Sequence, residues 1–147
     1  MYLLVPLAVA LAGAASVVQV GMNAALRHTF SNAILAATVN FGVGFLFLLC
    51  INLLQRPQLP STGEVASTPW WAWSSGVVGA LFVATVAWGA RDLGAVLTVT
   101  LIIVGQLLAS TIIDHWGLVG FPQQLASPSR IIGCVVLMLG AYLIKRG

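Results

Sequence analysis

Five long hydrophobic runs, separated by short polar breaks, give the chain its pattern. A run of about 20 apolar residues is long enough to cross the hydrocarbon core of a bilayer as one α-helix. The pattern therefore predicts an all-α membrane protein, with residues 1–147 forming a single transmembrane domain. The five predicted helices cover residues 3–26, 32–54, 70–89, 94–114 and 129–145.

The polar breaks carry the signals expected of helix ends and turns. Arg27-His28 predicts the end of the first helix, and Ser31-Asn32 predicts a cap for the second. Residues 56–69 contain three prolines, which predicts an irregular surface loop, and residues 91–94 predict a tight turn. Because these connections are short, neighbouring helices are expected to run antiparallel.

Composition agrees with the membrane assignment. The chain is 60% hydrophobic and 6% charged, whereas soluble domains carry about 25% charged residues. The sequence contains no nucleophile beside a partnered base, no metal-ligating residues at the usual spacing and no glycine-rich phosphate-binding loop. The sequence therefore argues against an enzyme and predicts neither a metal nor a cofactor. Cys50 and Cys134 lie within apolar runs and are expected to be buried free thiols.

Six scattered basic residues give the chain a net charge of +3 without forming a patch that would bind nucleic acid. With the N-terminus outside, four of them would be cytoplasmic and two external, which favours an N-out, C-in orientation. The margin is small, so insertion in both orientations is the alternative. The N-terminal run lacks the basic start of a signal peptide and is expected to be retained.

Polar or amphipathic side chains lie inside four of the predicted helices. In the first helix, Gln19 and Asn23 are four residues apart and therefore share a face. Asn40 lies within the second helix, Trp88 within the third and Gln106 within the fourth. Because amides are costly in hydrocarbon, these five residues are predicted to line a solute-binding cavity inside the bundle. The alternative is hydrogen bonding between helices, worth about 0.6 to 2 kcal/mol per contact.

Asp114 and His115 are the chain's one neighbouring pair of an acid and an imidazole, at the end of the fourth predicted helix. An acid beside an imidazole can transfer a proton, so this pair is a candidate proton relay at the end of a helix. The alternative interpretation is a solvated helix end, which Trp116 anchors at the membrane surface.

Six short motifs are spread over nearly the whole chain. They are Gly21-x-Asn23-Ala24-x-Leu26-Arg27, Trp71-x-Trp73-x-x-Gly76-x-x-Gly79-Ala80, Leu93-Gly94-Ala95, Gly105-Gln106, Ile113-Asp114-His115-x-Gly117-Leu118-x-Gly120-Phe121-Pro122 and Arg130-x-x-Gly133. In these motifs the chain closely resembles the YdcZ-like bacterial inner-membrane proteins of the drug/metabolite transporter superfamily. The combination of the Gly-Gln and Ile-Asp-His motifs is fairly specific to them.

The resemblance implies half of an inverted-repeat transporter, with five helices, in the bacterial inner membrane. A single short chain would then need an inverted partner, which is either a second copy in an antiparallel homodimer or an inverted paralogue. The chain departs from the small multidrug resistance proteins, which resemble it in size. Their first helix carries a membrane-embedded glutamate, whereas this one offers Gln19 and Asn23. Proton-coupled cation export by their mechanism is therefore not expected.

The predicted function is transport of a small polar or amphipathic solute across the bilayer by alternating access, as an antiparallel dimer. The alternative is a non-transporting membrane scaffold or partner subunit whose amides serve only helix packing. The transporter prediction requires that Gln19, Asn40 and Gln106 converge on one shared pocket.

Overall fold

The computed structural model describes residues 4–146, and all regular secondary structure in that range is helical. Four helices are long and apolar enough to cross a membrane, which confirms the predicted all-α membrane fold. Leu3, where the first predicted helix begins, lies outside the described residues. The elements are α1 (Leu4–Phe30), α2 (Ala33–Gln55), α3 (Thr62–Ser67), α4 (Trp70–Trp73), α5 (Ser75–Trp116), a 3-10 turn (Leu118–Gly120) and α6 (Pro128–Arg146).

The connection between α1 and α2 is a sharp, well-capped turn. Arg27 and His28 lie in the last turn of α1, where cations interact favourably with the helix dipole, so α1 continues through them to Phe30. Ser31 then adopts a left-handed conformation, with φ 52°. The side chain of Asn32 accepts hydrogen bonds from the backbone N–H groups of Ile34 and Leu35, at 2.9 and 3.0 Å. The predicted cap of the second helix is therefore confirmed at Asn32.

The proline-containing linker is not wholly irregular, and that prediction is wrong for residues 62–67, which form α3. Ser61 and Glu64 make a capping box, in which each side chain accepts a hydrogen bond from the other residue's backbone N–H. The Ser61 backbone N–H, and then its hydroxyl, donate to the Glu64 carboxylate and hold the pKa of Glu64 below its ordinary value. The sequence Ser61-Thr62-Gly63-Glu64 carries the Ser-x-x-Glu signal of such a cap.

Helix α5 contains a break at Gly94. Residues 91–93 are helical, so the predicted tight turn over 91–94 is wrong; only Gly94 leaves the helical conformation, with φ 74° and ψ 166°. We call the two parts α5a (residues 75–93) and α5b (residues 95–116). At 1.5 Å per residue they are about 28 and 33 Å long, so each suffices for one crossing of a core about 30 Å thick. They correspond to the third and fourth predicted helices, but the third was predicted to begin at Trp70, which the structure places in the separate short helix α4.

The described residues divide into two compact units, residues 4–91 and residues 92–146. In the first unit, α1 packs against α2. The ring of Phe41 on α2 closely approaches Gly79 on α5a, since a Cβ at Gly79 would lie 3.4 Å from Phe41 Cζ. Small side chains fill the buried positions and let the helix backbones come close. These buried positions are Asn23, Ala36, Ala37, Val83, Ala87 and Ala90.

In the second unit, α5b packs against α6. The hydroxyl of Thr111 lies 3.6 Å from the sulfur of Cys134 on α6, and Cys134 is buried as expected. Cys50, in α2 of the first unit, is exposed, so its predicted burial is wrong. Its position within a long apolar helix explains the difference, because in a membrane the lipid shields such a side chain from water in the way that neighbouring protein would.

Candidate functional site

Two of the predicted site residues meet in the first unit. Gln19 on α1 and Asn40 on α2 line one open groove of about 620 Å³, together with Gly44 on α2 and Val83 on α5a. We call this the amide groove. Its remaining lining is apolar and includes Phe41 and Leu48. The groove therefore presents two amides from separate helices within otherwise hydrophobic walls.

The spacing along α2 explains why a groove forms here. Asn40 and Gly44 are four residues apart and share one face of the helix. Gly44 has no side chain, and a Cβ built on it would meet nothing within 4 Å. Space beside the Asn40 amide is therefore left open, which suits a small ligand.

Asn23 is the most unusual polar residue of the first unit. It is 3% exposed, and among the described residues its side-chain oxygen has no hydrogen-bond partner. An unsatisfied buried acceptor costs about 1–3 kcal/mol. Asn23 lies one helical turn from Gln19 and on the same face of α1. Asn23 is not among the residues that line the amide groove, so its oxygen keeps one hydrogen bond unmade beside that groove's α1 wall.

Trp88 and Gln106 have different surroundings. Trp88, on α5a, is 63% exposed and is not among the residues that line the amide groove. Gln106, on α5b, belongs to the second unit, where it is exposed. The structure thus brings Gln19 and Asn40 together, while the convergence of Trp88 and Gln106 on the same cavity stays a prediction.

Asp114 and His115 fasten the loop that follows α5b. The backbone carbonyl of Asp114 accepts a hydrogen bond from the N–H of Gln124 at 2.7 Å. His115 Nδ1 accepts one from the N–H of Ala126 at 3.2 Å, and the His115 carbonyl accepts one from Gln123 Nε2 at 3.0 Å. These contacts account for both residues structurally, and the proton relay stays a prediction.

Sequence reasoning missed a second polar cluster, at the same end of α5b. Asp114 Oδ2 lies 3.5 Å from Arg130 Nη1, and Arg130 Nη2 also donates to Gln124 Oε1. Ser110 and Thr111 lie beside the pair in an open groove of about 420 Å³ between α5b and α6. The sequence carried part of the signal, because an acid that ends one predicted helix and a base that opens the next lie on the same side of the membrane if the two helices are antiparallel.

Comparison with known proteins agrees with these observations. Residues 4–143 match the family described as "Putative inner membrane exporter, YdcZ". The chain is 30% identical over 136 residues to the inner membrane protein YdcZ of Escherichia coli (strain K12), covering 92% of this chain and 90% of that protein. No solved structure matches the chain.

The family match extends over both units and over all the long helices. Together with the lengths and apolar composition of those helices, it places the chain in the bacterial inner membrane as a multi-pass protein of a transport family. The chain belongs to the YdcZ family of the drug/metabolite transporter superfamily.

Proposed function

We propose that this protein exports a small solute by alternating access and that the amide groove forms part of its binding site. The observation that carries the proposal is the meeting of Gln19 and Asn40, from two helices, in one apolar groove. The unsatisfied oxygen of Asn23, on the same face of α1 as Gln19, adds a further acceptor. The description of the family as an inner membrane exporter supports export as the direction.

The lining of the groove indicates the class of solute. Amide side chains supply both hydrogen-bond donors and acceptors but no net charge. No charged residue is among those that line the groove in the described part of the chain. A bare cation would lose its hydration there without gaining a counter-charge, which is unfavourable in a medium of low polarity. A neutral polar or amphipathic solute with apolar parts fits the groove better.

Alternating access needs two halves that move around a shared site. One chain of this kind supplies one half, so we propose an antiparallel dimer, formed either with a second copy or with an inverted paralogue. Trp88 and Gln106 then contribute to the same cavity. The near balance of basic residues on the two sides, four against two, supports insertion in both orientations.

Replacing Asn40 with leucine is expected to lower saturable solute transport by at least about tenfold, the effect of losing one or more hydrogen bonds to solute. Transport is measured with the purified protein in proteoliposomes, using a panel of neutral and amphipathic solutes. Asn52→Leu is the matched control, because the Asn52 amide donates within α2 to the Leu48 carbonyl and does not line the groove.

Equal loss in both asparagine variants, or none in Asn40→Leu, would contradict the role of the amide groove. If the wild-type protein neither transports a solute nor gains thermal stability from one, a scaffold role replaces the transporter proposal.

The orientation proposal predicts that a cysteine appended after residue 147 is labelled by a membrane-impermeant reagent in some molecules and protected in others. Intact cells are compared with permeabilised cells, in a background in which Cys50 and Cys134 are replaced by alanine. Comparable fractions on the two sides are expected for dual insertion. Labelling from one side only would require an inverted paralogue as the partner.

A further inference from the structure

A long groove runs through the second unit between α5b and α6. Its loop end is the 420 Å³ cavity beside Asp114 and Arg130. A second cavity of about 380 Å³, whose lining includes Thr100 and Ile144, shares Gly133 and Leu137 with the first, so the two follow one another along the same pair of helices. Asp114 and Thr100 are 14 residues apart along α5b, which corresponds to a groove about 21 Å long.

The polarity of this α5–α6 groove changes along its length. Asp114 and Arg130 lie at one end, and the rest of the lining is mainly apolar, including Leu107, Leu137 and Ile144. Asp114 is the first charged residue after a long uncharged run, and Trp116 beside it is 61% exposed. Exposed tryptophans mark the level of the lipid headgroups. The charged end therefore lies at the membrane surface and the apolar remainder extends into the hydrocarbon.

The ion pair between Asp114 and Arg130 is long, and both side chains keep hydrogen-bonding groups that can bind a ligand. Its single contact, between Arg130 Nη1 and Asp114 Oδ2, measures 3.5 Å, and the two side chains are 41% and 28% exposed. A guanidinium has five N–H donors, of which Gln124 engages only the Nη2 group. Among the described residues, Asp114 Oδ1 accepts no hydrogen bond. One cation and one anion side by side complement a zwitterion.

We propose that the α5–α6 groove binds a zwitterionic phospholipid of the phosphatidylethanolamine type. Its phosphate accepts hydrogen bonds from Arg130, its primary ammonium donates to Asp114, and one acyl chain lies along the apolar part. Gly133 and Gly140 leave that part open, because a Cβ on either would meet nothing within 4 Å. This site is separate from the amide groove and does not rest on the proposed transport function.

The headgroup chemistry predicts an order of affinity. A primary ammonium gives charge-assisted hydrogen bonds to a carboxylate, whereas the quaternary ammonium of phosphatidylcholine has no N–H to give. Phosphatidylglycerol carries the phosphate without a cation, so its hydroxyls can donate to Asp114 but bring no opposite charge. Phosphatidylethanolamine is therefore expected to bind about tenfold more tightly than either, the equivalent of one charge-assisted hydrogen bond.

The test adds these three lipids, with identical acyl chains, to the delipidated full chain in detergent and measures bound lipid by native mass spectrometry. Arg130→Gln is expected to weaken binding of all three lipids about tenfold. Asp114→Asn is expected to remove the preference for phosphatidylethanolamine over phosphatidylglycerol. Arg146→Gln is the control for lost positive charge, since Arg146 lies over the Tyr142 ring at the other end of α6 and lines neither cavity.

A second pair of variants tests the acyl-chain part of the groove. Gly140→Leu fills the groove and is expected to reduce retention of every lipid, whereas Gly105→Leu adds the same bulk on α5b outside the lining. Thermal unfolding in lipid-free detergent checks that both variants are folded. Equal retention of the three lipids by the wild-type protein would overturn the proposal. Gly140→Leu offers a second possible contradiction. If this variant retains lipid as the wild-type protein does but no longer forms a dimer, the groove binds a second copy of the chain and the lipid proposal is overturned.

Discussion

Replacing Asn23 with leucine is expected to abolish solute transport while leaving thermal stability unchanged or raising it. Asn23 is buried, and its oxygen lacks a partner among the described residues, so the folded chain gains little from the amide. Removing an unsatisfied buried acceptor recovers up to about 1–3 kcal/mol. Leucine is close enough in size to fill the site. The combination of lost activity and retained stability is what distinguishes a ligand-binding amide from a packing amide.

The measurement pairs proteoliposome transport with thermal unfolding in detergent. Asn52→Leu is again the matched control, because it exchanges the same residue types at an exposed position on α2. If Asn23 instead bonds to a partner helix in a dimer, Asn23→Leu should lower stability and dissociate the dimer. That result would support the packing alternative and remove Asn23 from the solute site.

Replacing Gly94 with alanine is expected to destabilise the protein strongly. At φ 74° and ψ 166° the backbone of Gly94 lies in a region that is essentially restricted to glycine, and forcing another residue into it costs about 1–3 kcal/mol. A Cβ there would meet nothing within 4 Å, so the effect comes from the backbone alone. Alanine also favours a continuous helix by about 1 kcal/mol.

A continuous α5 would be unsuited to the bilayer. Its 42 residues would form a rod of about 63 Å, roughly twice the thickness of the hydrocarbon core. We therefore expect a lower yield of membrane-inserted protein and a lower unfolding temperature for Gly94→Ala. Gly105→Ala provides the control, because Gly105 is helical with open space around it and alanine there should be neutral or slightly stabilising. Similar behaviour of the two variants would show that the break at Gly94 is dispensable.

Most of the fold was predictable because bilayer thickness sets helix length. The apolar runs located all the long helices, and the boundary near Gly94 followed from the polar residues before it. What the sequence could not show was that Arg91 to Leu93 continue the helix and that one glycine alone makes the break. The end of α1 was placed too early because Arg27 and His28 were treated as a stop, although basic residues stabilise a last helical turn.

The candidate site was harder to predict from the sequence than the fold was. The cost of an amide in hydrocarbon singled out Gln19 and Asn40, and the structure brings them into one groove. Burial of Asn23 depends on which face of α1 meets its neighbours, which spacing alone does not fix. Arg130 was counted only as one of the six scattered basic residues. Its pairing with Asp114 needs the path of the loop between α5b and α6, and hydrogen bonds to Asp114 and His115 determine that path.

The contact between His115 Nδ1 and the Ala126 amide also fixes the tautomer of the ring. A ring nitrogen that accepts a hydrogen bond carries no hydrogen, so the neutral imidazole bears its single proton on Nε2. The loop segment at Ala126 is thereby held to the end of α5b through an acceptor nitrogen of the ring, and Nε2 is the ring nitrogen left to donate.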